Sequence, residues 1–231
     1  MTTPKVVKEL LERSNRLGSE PRFTNYAGGN TSAKGAVPNP ATGEETTLLW
    51  VKGSGGDLGT LKESGLAALD LEKFKALKNV YRGIEFEDEM VALFDYCRFG
   101  SSGAAPSIDT TMHGLVPFDH VDHLHPDSII ALATSIDGEA LTRECFGEEI
   151  LWVDWRRPGF QLGLDMAKIA TENPNAKGCV LGGHGLTTWG ATSKECEERS
   201  IAAITKAEEF IKAKGKKDPF GAKVAKYKPL D

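Results

Sequence analysis

Pro106-Ser107-Ile108-Asp109-Thr110-Thr111-Met112-His113-Gly114-Leu115-Val116-Pro117-Phe118-Asp119-His120-Val121-Asp122-His123-Leu124-His125 holds four of the five histidines of the chain. With the chain extended around 121, His123 and His125 are two residues apart and share one side, while Leu124 faces the other. Two imidazoles on one side can grip one metal ion. A catalytic zinc usually takes three protein ligands and leaves a position open, so a third donor is needed from elsewhere. The remaining histidine, His184, stands in Gly182-Gly183-His184-Gly185, where glycines let the backbone bend sharply and let another group come close. His-x-His pairs also arise by chance. A histidine set among glycines has little to pack against, and that favours a ligand role. Upstream, Ser107 and Asp109 follow the Gly/Ser/Ala/Pro run from Gly100 to Pro106, which reads as a loop. A carboxylate there is a general base, a further metal ligand or a solvated loop residue.

Outward from this stretch, 231 residues suffice for one domain with a substantial core. The 40% hydrophobic and 26% charged content is that of an ordinary globular protein. No segment has the roughly 18 uninterrupted apolar residues of a membrane helix. The N-terminus carries charges where a secretory signal would carry its apolar run, so a cytoplasmic location is expected, with no membrane partner. Cys97, Cys145, Cys179 and Cys196 are scattered, without a Cys-x-x-Cys pair, and read as reduced packing residues. A net charge of −5 argues against nucleic acid, whose phosphates need a basic face. The basic run Lys212, Lys214, Lys216 and Lys217 follows a helix and reads as a solvated tail.

Along the chain, Pro4 to Leu17 reads as an amphipathic helix with Val7, Leu10, Leu11 and Leu17 on its apolar face and Gly18 as its stop. Asn25 to Lys34 is either an anion-binding nest built around Gly28 and Gly29 or an ordinary turn between strands. A turn follows near 35 to 43, and Thr46 to Lys52 reads as a strand leading into a second glycine loop, Gly53 to Gly59. Leu58 stands where the third glycine of a dinucleotide fingerprint belongs, so a dinucleotide fold is rejected while a phosphate site stays open. Leu71 to Val80 and Glu87 to Arg98 have helical spacing, and Ile129 to Ala133 is too short to decide. Glu149 to Asp154 reads as a strand and Pro158 opens a helix that stops near Asn173-Pro174. Gly178 to Leu181 and Leu186 to Trp189 read as strands with His184 at a hairpin tip. A last helix after Thr192 or Ser193 buries Ser200, Ile204, Ala207 and Ile211. There is no internal repeat. Hairpin strands mixed with long amphipathic helices predict an α/β fold with a mainly antiparallel central sheet flanked by helices. The domain is expected to span 1–214, with a loosely ordered tail over 215–231.

Five pieces in this order resemble the class II aldolase/adducin family. They are Gly-Asn-Thr-Ser at 29 to 32, Lys-Gly-Ser-Gly at 52 to 55, Pro-Ser-x-acid at 106 to 109 with His113 four on, His-x-His at 123 to 125, and Gly-His-Gly-Leu at 183 to 186. The resemblance covers nearly the whole chain and implies a three-layer fold of the class II aldolase kind. It implies a divalent metal, zinc first, on His123, His125 and His184, with Asp109 as the catalytic acid/base. It further implies phosphate binding by Gly29, Asn30, Ser54, Gly55 and Ser107, and a homotetramer. Two departures stand out. Many aldolases of the family have glutamate where this chain has Asp109, and a second serine where it has Ile108. The variant Ser-Ile-Asp-Thr-x-x-His followed by Val-Asp-His-x-His-Pro-Asp is most similar to the aldolase half of bifunctional rhamnulose-1-phosphate aldolase/alcohol dehydrogenases. That implies cleavage of L-rhamnulose 1-phosphate to dihydroxyacetone phosphate and L-lactaldehyde in rhamnose catabolism. It also implies fusion to, or association with, a short-chain dehydrogenase domain. Sugar-phosphate epimerases and dehydratases of the family use the same metal frame, and adducin-like members bind without catalysis. The latter lack the metal histidines. A zinc hydrolase finds no support in a Ser-His-Asp set or a His-Glu-x-x-His helix.

Overall fold

The computed structural model describes residues 3–100, 103–218 and 221–222. Seven strands form one sheet: β1 (Asn30–Pro38), β2 (Glu45–Lys52), β3 (Leu66–Asp70), β4 (His120–Leu124), β5 (Ile150–Val153), β6 (Gly178–Leu181) and β7 (Gly185–Gly190). Their spatial order is β3-β2-β1-β4-β7-β6-β5, and every neighbouring pair is antiparallel except β5 with β6. The expected mainly antiparallel sheet flanked by helices is therefore present. The single parallel pair is joined by the crossover helix α7, described below, because parallel neighbours cannot be linked by a tight turn.

Side-chain alternation assigns the two faces. On one, Ala33, Leu48, Trp50, Leu66, Leu124, Val180 and Leu186 pack against α1 (Lys5–Gly18), α5 (Asp127–Ala133), α6 (Gly138–Phe146) and α8 (Ser193–Lys214). On the other, Leu49, Val51, Ala67, Leu69, Val121, Cys179, Leu181 and Trp189 meet α2 (Leu71–Ala76), α3 (Glu87–Leu93), α4 (Thr110–Leu115) and α7 (Phe160–Glu172). The result is three layers, helix on sheet on helix. All four cysteines are buried and free, in keeping with a packing role.

Local signals account for many boundaries. Asp70 caps α2 by accepting from the Glu72 and Lys73 N–H groups at 3.1 and 3.0 Å. Thr192 caps α8 by accepting from Glu195 N–H at 3.1 Å, and Glu195 reaches back to Ala191 N–H at 2.7 Å. In α8 Ser200, Ile204 and Ala207 are buried, whereas Ile211 is only half-buried. Gly18 is the last residue of α1, and glycine is required there by packing: a Cβ would run into the backbone at Leu58 and Gly59, so glycine permits a close approach.

Several elements depart from the sequence reading. Asn30 to Pro38 is a strand, and the turn is confined to the residues between it and β2. Segment 129–133 is helical, and β3, α4 and α6 were not foreseen. The expected helices over 71–80 and 87–98 are α-helical only to Ala76 and Leu93 and then tighten into 3₁₀ turns. Helix α7 obtains its cap from another element. Buried Glu87 on α3 accepts from the Phe160 and Gln161 N–H groups and from Tyr81 Oη at 2.6 Å. That contact joins residues more than seventy positions apart in the chain. The expected tail begins after Lys214, and most of it, with Ser101 and Ser102 of the Gly100–Pro106 loop, lies outside the described residues. No described helix is long and apolar enough to cross a membrane.

Candidate metal and acid/base site

The strand order brings the three histidines together. Antiparallel pairing of β4 with β7 sets Leu124 opposite Leu186 and His123 opposite Thr187, so the β6–β7 turn that carries His184 lies at the end of β4. Gly183 makes this turn possible at φ +67°, a left-handed conformation that glycine adopts without cost. Gly185 leaves room for the ring of His125: a Cβ would sit 2.9 Å from His125 Cδ2. The Nε2 atoms of His123 and His125 are 2.9 Å apart, and those of His123 and His184 are 3.2 Å apart. Ligands about 2.0–2.1 Å from a tetrahedral zinc lie roughly 3.3 Å from one another, so this spacing fits one ion.

Protonation favours the ligand state. The Nδ1–H of His123 donates to Leu186 O at 2.9 Å, which turns the Nε2 lone pair toward the other two rings. Burial, reinforced by the neighbouring imidazoles, pushes His123 well below the ordinary histidine range. Burial also lowers His125 and His184, with Asp109 opposing in both cases. Imidazolium cannot bind a metal, so a site that disfavours it is ready for one.

Asp109 is at the start of α4, and its partner comes from β1. Asn30 stands opposite His123 in the β1/β4 register, and its Nδ2 donates to Asp109 Oδ2 at 2.8 Å. The Oδ1 of the same amide can only accept, so the bonded Nε2 of His113 must be the donor. Burial pushes His113 down to about 3, with Lys34 and Arg13 adding to the effect. The ring is therefore neutral, and its Nδ1 accepts from Ser32 Oγ at 2.7 Å. The donors run one way: Ser32 to His113 to Asn30 to Asp109. His113, one helical turn beyond Asp109, stood in the sequence only as a motif mark. Its role depends on Asn30 and Ser32, about eighty positions away.

The two glycine loops frame this group. Gly29 (φ +73°) lies so close to β4 that a Cβ would be 2.8 Å from His123 O. Ala27 (φ +58°) is left-handed without being glycine, and Asp57 holds it by accepting its N–H at 2.9 Å. In the second loop Gly53 N–H donates to Gly65 O and Ser54 N–H to Ala105 O, both at 2.9 Å. Ser54 and Gly55 are exposed, and Ser107 Oγ is buried without a hydrogen-bond partner among the described residues. Residues 8–210 match the Class II Aldolase and Adducin N-terminal domain. The chain belongs to the class II aldolase and adducin family. Like this family member, the N-terminal class II aldolase domain of a conserved protein from Thermoplasma acidophilum has the fold, at TM-score 0.80 and 27% identity over 91% of this chain and 96% of that one. An L-fuculose 1-phosphate aldolase superposes at TM-score 0.63 with 16% identity, covering 96% and 92% of the two chains. An uncharacterized oxidoreductase of Bacillus subtilis, YuxG, is 38% identical over 228 residues, which are 98% of this chain. The chain spans only 32% of the length of that relative.

Behind the site, a buried ionic network ties α1, β1, β4 and α8 together. Arg13, in the apolar stripe of α1, donates from Nε to Asp122 Oδ1 at 2.9 Å, from a terminal nitrogen to Ser193 Oγ at 2.8 Å, and to Ser32 O at 2.7 Å. The same guanidinium meets His120 Nδ1 at 3.0 Å, and Ser200 Oγ donates to Asp122 Oδ2 at 3.2 Å. Asp122 lies between His120 and His123 on β4 and faces the opposite way from His123, so this network holds the ligand strand from behind.

Proposed function

We propose that this chain is a zinc-dependent aldolase that cleaves a ketose 1-phosphate, with L-rhamnulose 1-phosphate as substrate and dihydroxyacetone phosphate and L-lactaldehyde as products. The observation that carries the reading is the convergence of His123, His125 and His184 on one point, with Asp109 within electrostatic reach of two of them. Zinc bound there would act as a Lewis acid at the substrate's carbonyl and neighbouring hydroxyl oxygens. The protein's own part is proton transfer and positioning. Asp109, oriented by Asn30, would deliver or remove the proton at the carbon that becomes the enediolate carbon when the C3–C4 bond breaks. The C4 hydroxyl must lose its proton in the same direction. Gly29, Ser54, Gly55 and Ser107 would hold the phosphate so that the reacting carbons meet Asp109 and the metal. Asn30 belongs to the same set by family resemblance, although its side chain is committed to Asp109 and His113 in this structure.

The reading includes a homotetramer, a cytoplasmic location and the company of a short-chain dehydrogenase domain. The last is supported by the name and greater length of the oxidoreductase relative. The decisive experiment incubates the zinc-loaded protein with L-rhamnulose, L-fuculose and pentulose phosphates and follows dihydroxyacetone phosphate by coupled reduction. Release from the rhamnulose ester is the expected result. Interconversion of pentulose phosphates without carbon–carbon cleavage would replace the aldolase with an epimerase.

A further inference from the structure

Lys34 stands on β1 four residues after Asn30, and by type it belongs on a wet surface. Only 8% of it is exposed. Its Nζ donates to two main-chain oxygens, Val116 O and Phe118 O, the second at 2.7 Å, and its backbone N–H donates to Asp119 O at 2.7 Å. Taking that amine out of water is costly, and methionine would fill the same space without the cost, so packing alone does not account for a lysine here. Burial lowers its pKa to about 7, with Lys75 adding and Asp119 opposing, yet even the neutral amine keeps two N–H donors for the two carbonyls.

The two carbonyls lie in the turn between α4 and β4: Val116 is the C-cap of α4, and β4, the strand of His123, begins two residues after Phe118. Lys34 therefore grips the segment that joins the helix of Asp109 to the ligand strand. With six residues α4 is too short to hold its own place in water, and Asp109 at its N-cap makes no capping bond, which leaves the carboxylate to Asn30. The helix must be placed by its neighbours. Asn30, Ser32 and Lys34 alternate onto the same side of β1, and each meets α4 at a different height: Asn30 at Asp109 and His113, Ser32 at His113, and Lys34 at the C-terminal end. A cation also suits that end of the helix dipole.

We propose that Lys34 is a positioning residue for the acid/base chemistry: by clamping the C-terminal end of α4 it fixes the height of that helix along β1, and with it the place of Asp109 relative to the three histidines. This rests on the aldolase reading for the identity of the reaction, but the clamp itself stands on the geometry. Lys34 bonds to neither Asp109 nor the metal histidines, so its loss displaces the acid/base group without removing it. Proton transfer should suffer while metal and substrate bind as before.

The test uses the full chain loaded with zinc and the ketose phosphate that the wild type cleaves. K34M is expected to lower kcat by about 10- to 100-fold, the cost of moving a reacting group by about an ångström, with KM and zinc content unchanged. K34R should restore most of the rate. In a D109N background, where the group being positioned is already gone, K34M should change kcat by less than roughly twofold. A wild-type kcat in K34M, or the same loss of kcat with and without Asp109, overturns the proposal, since a lysine that only stabilises the fold would act equally in both backgrounds. Should K34M fail to fold, K34Q, which keeps N–H donors on a stem one atom shorter, is read by the same criteria. If the wild type cleaves no ketose phosphate, the aldolase reading fails and the His113 Nε2–H resonance judges the clamp: it should shift in the variant, and a resonance that stays in place overturns the proposal. Wild-type cleavage with an unchanged kcat in K34M would sink Lys34 and leave the aldolase reading standing.

Discussion

Asn30→Ala separates two roles for one side chain. Asn30 is 6% exposed, and its amide makes two bonds, to Asp109 Oδ2 at 2.8 Å and to His113 Nε2. Truncation strands the His113 N–H in a dry site, at a cost of about 1–3 kcal/mol. At roughly 2–4 °C per kcal/mol for a domain of this size, the melting temperature should fall by about 2–12 °C. Asp109 loses a charge-assisted bond worth about 1.5–3 kcal/mol and, with it, a fixed direction toward the metal side. A base displaced by an ångström can cost about a hundredfold in rate, so kcat should fall roughly 10- to 100-fold. The Asn30 amide bonds to Asp109 and His113 and to none of the three histidines, so zinc content should stay at the wild-type level. The assay is steady-state cleavage of the ketose phosphate identified by the panel, with metal analysis and a thermal melt on the same preparation. An unchanged kcat accompanied by a higher KM would mean that Asn30 serves the phosphate alone and that the orienting role derived from its geometry is wrong.

Further outcomes follow from the same geometry. Asp109→Asn should lower cleavage by about 10²- to 10⁴-fold with zinc retained, as for loss of a general acid/base; loss of zinc would make Asp109 chiefly a ligand. His184→Ala should lose zinc and activity together on equilibrium dialysis, and a variant that keeps stoichiometric zinc would remove His184 from the ligand set. Arg13→Met leaves Asp122 buried and unpaired, so chemical denaturation should show a loss of about 3–5 kcal/mol; a loss under about 1 kcal/mol would refute the network's structural role. His113 binds protons less readily folded than unfolded, so its contribution is complete above the ordinary histidine pKa and declines as pH falls toward about 3. Between pH 7 and 5 it should account for about 2 kcal/mol of lost stability, a slope that His113→Gln should flatten in urea titrations.

What the sequence by itself determined was local. A spacing of two between His123 and His125 placed both rings on one side of an extended segment, and glycines around His184 announced a turn. Helices α1, α7 and α8 were legible because apolar periodicity and their flanking signals depend on neighbours a few residues away. Arg13 shows where that logic stops. By type it belongs on a wet face, yet it is fully buried, because Asp122 more than a hundred residues later supplies the countercharge. The tertiary structure alone decided that β7 lies beside β4, which turned a pair of histidines into a triad. It decided likewise that Asn30 stands opposite His123 and orients Asp109, and that Glu87 rather than a local residue caps α7. Strand pairing and buried hydrogen bonds of this kind join residues some sixty to a hundred positions apart in the chain, and a polar side chain leaves no periodic trace of a distant partner.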